Sequence, residues 1–354
     1  MKTTRKMTNK SDSLYIPKSA VLELTYLCNH RCLFCSCPWE DTTGAEQYDR
    51  GAELSTEQWK QALSVLEAHG VEQVSISGGE ALMKEGLVDL LQYIRKNTNL
   101  NADSEIVLIS NARLMDEVFL SAFKKYRVHL SLSLPGLETF EKLTGVDNAD
   151  GVLYWLNRAH EEGIETTCNV IVTKLNHFEL YETLANGLLA GADTLLVNRF
   201  LAGGRGIANS DILSINNKEL NETLDIAEGV LTKANRLGSI GTEIPLCVIE
   251  KGENHYKKLT VGSICAAGKE FFVIDPSGLI RVCNHSPHIV GHIFDNEFVT
   301  DRGYWNRFVY RGYIPVSCTM CEDVSYCDCG CRETASIVYG SLSEKDPCMM
   351  EKET

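Results

Sequence analysis

No stretch of the 354 residues approaches the roughly 18 consecutive apolar residues that a membrane span requires. The basic N-terminal stretch "MKTTRKMTNKSDSLYIPKSA" lacks the apolar centre of a secretory signal peptide. These two absences predict a cytoplasmic protein without a membrane partner. Positive charge is also short: 34 Lys and Arg face 48 Asp and Glu, for a net charge of −14. A nucleic acid needs a basic surface for its phosphates, so it is excluded as a partner. With 44% hydrophobic and 23% charged residues, the chain is long enough to bury the cores of about two globular domains.

Cysteine, by contrast, is plentiful. There are 14, and in a cytoplasmic protein closely spaced thiols point to metal binding or redox chemistry rather than disulfides. They are unevenly placed. Cys28, Cys32, Cys35 and Cys37 lie near the start, Cys168 stands alone, and all the others follow residue 240. An N-terminal catalytic domain and a C-terminal metal-rich domain are expected.

Apolar, β-branched runs alternate with helical patterns. "AVLELTY" (20–26), "QVSISG" (73–78), "EIVLIS" (105–110), "VHLSLSL" (128–134), "TTCNVIV" (166–172) and "TLLVNRF" (194–200) read as strands. The segments between them carry leucines, valines and aromatics at helical spacing, and "STEQ" at 55–58 matches a capping box. Such alternation implies parallel strands joined by crossover helices, an α/β architecture with its functional groups at the C-terminal strand ends. The cysteine run follows the first strand, "GGE" (78–80) the second and "SNA" (110–112) the third. Beyond residue 200 come a Gly-rich loop, "LAGGRGIANS", and a helical stretch from about 216 to 237. A hairpin is expected around "DPSG", followed by a cysteine-rich remainder with little periodicity, which predicts a metal staple.

Cys28, Cys32 and Cys35 give the spacing C-x3-C-x2-C. Three thiolates on a four-iron cluster leave one iron open, which suits catalysis rather than structure. A structural zinc would want a fourth ligand, for which Cys37 or His30 would have to serve. "CNHRCLFC", with Phe34 before the third cysteine, resembles the signature of the radical S-adenosylmethionine (radical SAM) superfamily. That resemblance implies a partial (β/α)6 TIM-like barrel. It also implies a cluster whose open iron binds S-adenosyl-L-methionine, which is cleaved to a 5′-deoxyadenosyl radical. Gly78, Gly79 and Glu80 resemble the family's motif for the SAM amino group. Ser110 and Asn111 resemble its ribose contacts, and Ser133 is a candidate contact for the carboxylate. Ser131 shares the face of Ser133, and Asn169 and Asn176 are further candidates.

The C-terminal spacing is Cys265-x12-Gly278-x4-Cys283, then Cys318-x2-Cys321-x5-Cys327-x3-Cys331, then Cys348. It resembles the seven-cysteine SPASM extension of one radical SAM branch, a small iron–sulfur domain. The resemblance implies two auxiliary four-iron clusters, and so three [4Fe–4S] clusters in all. Cys318, Cys321, Cys327 and Cys348 would hold the outer one. Cys265, Cys283 and Cys331 would give three ligands of the inner one, with Cys247 as candidate fourth. Cys37, Cys168 and Cys329 fall outside the motif. The expected divisions are an N-terminal tail (1–19), the partial barrel (20–215), a linking helix (216–240) and the SPASM domain (241–354).

The branch modifies peptides and proteins by crosslinking, oxidation or epimerisation. Sulfatase maturases within it carry an acidic residue after the last cysteine of the Gly-containing element. Here Asn284 stands there, followed by His285. The expected function is oxidative crosslinking, thioether or carbon–carbon, of a ribosomally made peptide. A peptide epimerase, a sulfatase-type maturase and a small-molecule dehydrogenase are the alternatives. A non-catalytic electron carrier would have no use for an open iron. The expected partners are a peptide or protein substrate and a flavodoxin or ferredoxin as reductant. Few residues precede Cys28, so leader recognition is expected from a separate protein or another surface. His285, His288 and His292 are candidates for acid–base work.

Overall fold

The computed structural model describes residues 14–37 and 53–350, so most of the expected tail lies outside the described residues. Strands β1 (Ser19–Glu23), β2 (Gln73–Ser77), β3 (Ile106–Ser110), β4 (Val128–Ser133), β5 (Thr166–Val172) and β6 (Thr194–Arg199) pair in parallel in chain order. All six lie where the apolar runs predict strands. Their crossovers are α1 (Thr56–Ala68), α2 (Leu87–Asn97), α3 (Glu117–Lys125), α4 (Phe140–Thr144) with α5 (Ala149–Glu161), and α6 (Leu180–Leu189). The capping box at the start of α1 is present: the Gln58 N–H donates to Ser55 Oγ at 3.3 Å, and the Ser55 N–H to Gln58 Oε1 at 2.9 Å. Each helix lays an apolar stripe on the sheet; in α1 it is Trp59, Ala62, Leu63 and Leu66, all fully buried.

The sheet does not stop at six strands. After α7 (Ser210–Leu213) and α8 (Asn217–Ala234), β7 (Leu237–Ile240) pairs in parallel with β6, and β8 (Leu259–Thr260) pairs with β7. The helix expected to run to about 237 ends sooner. Asn235 takes φ +51°, the left-handed turn that asparagine tolerates at a helix end, and the next residues extend as a strand. On the opposite edge, β9 (Phe271–Ile274) pairs in parallel with β1, and β10 (Leu279–Arg281) and β11 (Ile289–His292) continue antiparallel. The hairpin turn forms at "DPSG": Asp275 Oδ1 accepts from Ser277 N and Leu279 N, each at 2.9 Å, and Gly278 takes φ +92°. One sheet thus carries both the barrel and the hairpin, in the order β11-β10-β9-β1-β2-β3-β4-β5-β6-β7-β8.

The C-terminal region adds α9 (Arg302–Val309), α10 (Arg332–Tyr339) and short turns. It has little periodicity, yet it joins the main apolar core: Trp305, Phe308 and Tyr313 are fully buried, with Trp305 against Phe272 of β9 and Phe308 against Tyr313. Among the described residues no helix is long and apolar enough to cross a membrane.

Candidate metal and cofactor site

The first cysteine loop leaves the end of β1 and is gripped from several sides. Gly79 N donates to Thr25 O and Glu80 N to Leu27 O, each at 2.7 Å. A Cβ at Gly79 would lie 2.4 Å from Leu27 O, so only glycine lets the second strand's turn come this close. From the far side, Gly206 N donates to Cys35 O at 3.0 Å and Arg205 Nη1 to Cys32 O at 3.1 Å. A Cβ at Gly204 would meet Cys37 O at 2.3 Å. The loop "LAGGRG" therefore clamps the cysteine turn, a role its composition does not announce. Cys28 is solvent-exposed, and Cys32, Cys35 and Cys37 are partly exposed. The Cys37 thiol donates to the Cys35 sulfur and brings Cys35 down to about 7. His30 is buried edge-on against Phe140, and burial lowers it to about 4, so it stays neutral.

Glu80 is almost fully buried, which pushes its carboxyl upward. It accepts from Ser110 Oγ at 2.8 Å, Asn111 N at 2.8 Å and Leu82 N at 3.1 Å. A carboxylate has about four acceptor positions, so one remains for a further donor. Asn111 Nδ2 reaches Asn29 Oδ1 at 2.7 Å and lies 4.0 Å from Cys28 Sγ. Glu80, Ser110 and Asn111 are thus brought together beside the cysteine loop. Ser133 pairs in register with Asn169 on β5, whose side chain lines the central cavity. Asn176 lies elsewhere in effect: it is buried, and both ends of its amide are bonded to the backbone at Thr173, Ile171 and Pro135. It has no group left for a cofactor.

At the same mouth opens a cavity of about 370 Å³. Ser36 and Cys37 form part of one wall, and Cys265, Cys283 and Cys331 part of another. Burial raises all three of those thiols, Cys331 to about 12, so their thiolate forms need a cation beside them. Cys265 N donates to Asp328 Oδ2 at 2.8 Å, and Cys331 N to Asp346 Oδ2 at 2.7 Å. Asp328 is ion-paired to Lys269 and Arg311, and Asp346 to Arg199.

A second group of thiols gathers around Cys318, Cys321, Cys327 and Cys348. Cys329 joins it, its N–H donating to Cys327 Sγ at 3.3 Å from a backbone with φ +62°. Cys247 also stands here: Leu246 N donates to the Cys327 thiol, and Cys318, Cys321 and Cys327 are neighbours of the Cys247 thiol. Cys168 is buried under α6, where a Cβ at Gly187 would touch its sulfur. Among the described residues no three cysteine sulfurs lie within 4.8 Å of one another. A tetrahedral zinc with bonds of about 2.3 Å would draw its sulfurs to within about 4 Å. The wider setting fits clusters in which each thiolate sits on a different iron.

Of the three histidines, only His285 faces the cavity. Its Nε2 lies 2.9 Å from Ala202 O and 3.0 Å from Thr334 Oγ1, and burial lowers it to about 4. His288 pairs with Asp301 and stacks on Tyr304; His292 bonds Ser277 O in the hairpin. Three cavity carboxylates escape a reading by spacing: Glu23, Glu243 and Glu333. Glu23 is buried, ion-paired to Arg281, and accepts from Asn284 Nδ2 at 2.8 Å. A carboxylate therefore does stand beside Asn284, supplied by β1. The one signal for it was a charged residue inside the apolar run "AVLEL".

A parallel α/β barrel with a cysteine loop after its first strand thus faces a thiol-rich C-terminal region across one cavity. Residues 22–185 match the Radical SAM superfamily, so this part of the chain carries a radical SAM domain. The chain is 26% identical over 360 aligned residues to the PqqA peptide cyclase of Bradyrhizobium diazoefficiens, covering 97% of this chain and 88% of that protein. The PqqA peptide cyclase of Gluconobacter oxydans is 28% identical, covering 94% and 90%. Among solved structures, Streptococcus suis SuiB bound to S-adenosylmethionine superposes with a TM-score of 0.67 at 18% identity, covering 95% of this chain and 78% of that one. Native anSMEcpe with bound AdoMet gives 0.69 at 18% identity, covering 94% of each.

Proposed function

We propose that this enzyme modifies a side chain of a peptide by oxidative crosslinking, the peptide being ribosomally made. The observation that carries the reading is the shared cavity, with the first cysteine loop on one wall and Cys265, Cys283 and Cys331 on another. Relatives named PqqA peptide cyclase, and the fold shared with SuiB bound to its precursor peptide SuiA, support a peptide as substrate. Cys28, Cys32 and Cys35 would hold the SAM-binding cluster. Glu80 has an acceptor position left for the SAM amino group, Ser110 and Asn111 beside it would be further contacts, and Ser133 would meet the carboxylate. When bound, the cluster and SAM supply a 5′-deoxyadenosyl radical that removes a hydrogen atom from the substrate. Phe34, Ile109, Ile171 and Phe200 give the cavity an apolar part, which with the neutral His285 would shield a reactive carbon from water. Closing a crosslink removes one further electron and releases a proton, and an acceptor held by the inner thiols would take the electron. Cys318, Cys321, Cys327 and Cys348 would hold the outer cluster, and a flavodoxin or ferredoxin would serve as reductant.

The test is the mass of the product formed from a candidate precursor peptide. Loss of two hydrogens is the expected result. Unchanged mass with deuterium taken up from solvent would replace crosslinking by epimerisation. One observation favours that second reading: Cys37 offers a thiol on the cavity wall, whereas Cys168 and Cys329 do not line the cavity.

A further inference from the structure

The inner thiols share their cavity with one more group able to bind iron. Glu243 lies three residues beyond β7, and its side chain lines the wall that also holds Cys265, Cys283 and Cys331. The Cys265 thiol donates a hydrogen bond to the Glu243 carboxylate. The main chain there is fixed as well: Glu243 O accepts from Arg199 Nε at 3.3 Å and Nη2 at 3.0 Å. Arg199 is paired with Asp346, which accepts from Cys331 N at 2.7 Å. A single buried ion pair thus sets the carboxylate and one thiol relative to each other. Cys247, four residues further on, does not line this cavity. It is exposed and stands with Cys318, Cys321 and Cys327.

We propose that Glu243 is the fourth ligand of the inner auxiliary cluster, binding through a carboxylate oxygen the iron that Cys265, Cys283 and Cys331 leave free. The proposal rests on the reading that those three thiols hold a cluster. Oxygen is a harder donor than the thiolates that iron–sulfur clusters favour. The iron facing the substrate cavity is then the one with the most exchangeable ligand, while the outer cluster is enclosed by thiols alone.

The test uses the full chain with Cys28, Cys32 and Cys35 changed to Ala, so that only auxiliary clusters form. Protein containing 13C-carboxyl-labelled glutamate is reconstituted with iron and sulfide under anaerobic conditions, reduced and examined by electron–nuclear double resonance. A 13C coupling is expected in this background and in Cys247→Ala. It should vanish in Glu243→Ala and in Glu243→Cys, the latter keeping its full iron content because a thiolate takes the carboxylate's place. Persistence of the coupling in Glu243→Ala overturns the assignment. So does an inner-cluster spectrum that changes in Cys247→Ala and not in Glu243→Ala. An iron content unaffected by Cys265→Ala sinks the underlying cluster reading, and the Glu243 assignment with it.

Discussion

The two thiol-bearing regions are held by different physics. The loop at 28–37 is gripped by its backbone: glycines 79 and 204 press against its carbonyls, main-chain bonds come from neighbouring strand ends, and Arg205 and Arg113 donate to the carbonyls of Cys32 and Asn29. The field at 265–348 hangs on buried ion pairs, with Asp328 and Asp346 fully buried and accepting from cysteine amides. The first arrangement leaves Cys28 exposed at the cavity mouth, as a site that must admit a cofactor requires. The second buries Cys265, Cys318, Cys327 and Cys331 but leaves Cys321 exposed. Close backbone packing holds the first, and compensated buried charge holds the second.

If the regions are independent in this way, each can be broken alone. The largest effect belongs to replacing Cys28, Cys32 and Cys35 by Ala. Formation of 5′-deoxyadenosine should fall below detection by liquid chromatography, while about eight of an expected twelve or so irons remain. Cleavage of SAM at the wild-type rate would show that the loop is not the catalytic centre.

Next comes Asp346→Asn, which leaves Arg199 buried without its partner. A loss of roughly 3–5 kcal/mol is expected in chemical denaturation, together with loss of auxiliary iron. A change under 1 kcal/mol would mean that the ion pair does not organise the C-terminal field. The pair also predicts a pH effect. Burial alone would raise the Asp346 carboxyl, but Arg199 outweighs it and the net shift is downward. A depressed carboxyl stabilises the fold above its unfolded value near 3.9, and that stability is lost as pH falls through the lower folded value. Asp346→Asn should therefore flatten the acid limb of the stability curve below about pH 4.

Gly79→Ala should cost less, roughly 1–3 kcal/mol from overpacking against Leu27 O. It should reduce SAM cleavage while leaving auxiliary iron intact, by iron assay. The smallest effect concerns His285. Its folded value of about 4 lies below the unfolded value near 6.5, so the unfolded chain binds the extra proton between them. Stability should decline modestly as pH falls through that window, and His285→Gln should remove this part of the slope. An unchanged slope would mean that the ring is not held neutral.

The comparison also shows what a sequence can carry. The six barrel strands were legible because a strand buried by helices on its face reads as an apolar run. β7 and β8 were not, being four and two residues long and following a helix whose end depends on one left-handed asparagine. The pairing of β9 with β1 joins residues about 250 apart, and no local pattern reports such a partner. The cysteine spacings marked both thiol fields. Spacing along the chain does not say which sulfurs share a space, however, and Cys247 stands with Cys318, Cys321 and Cys327 rather than beside the inner three. Carboxylates were the least legible part. Glu23, Glu243 and Glu333 reach the cavity from β1, from the loop after β7 and from α10, and nothing in their sequence neighbourhoods links them.

The central claim is that a radical made at one wall of the cavity is completed by an electron acceptor held at the other. It is tested most directly by changing Cys265, Cys283 and Cys331 to Ala and measuring 5′-deoxyadenosine and modified peptide in the same reaction. The account predicts that SAM cleavage continues while the product lighter by two hydrogens disappears. Wild-type yields of both would contradict it.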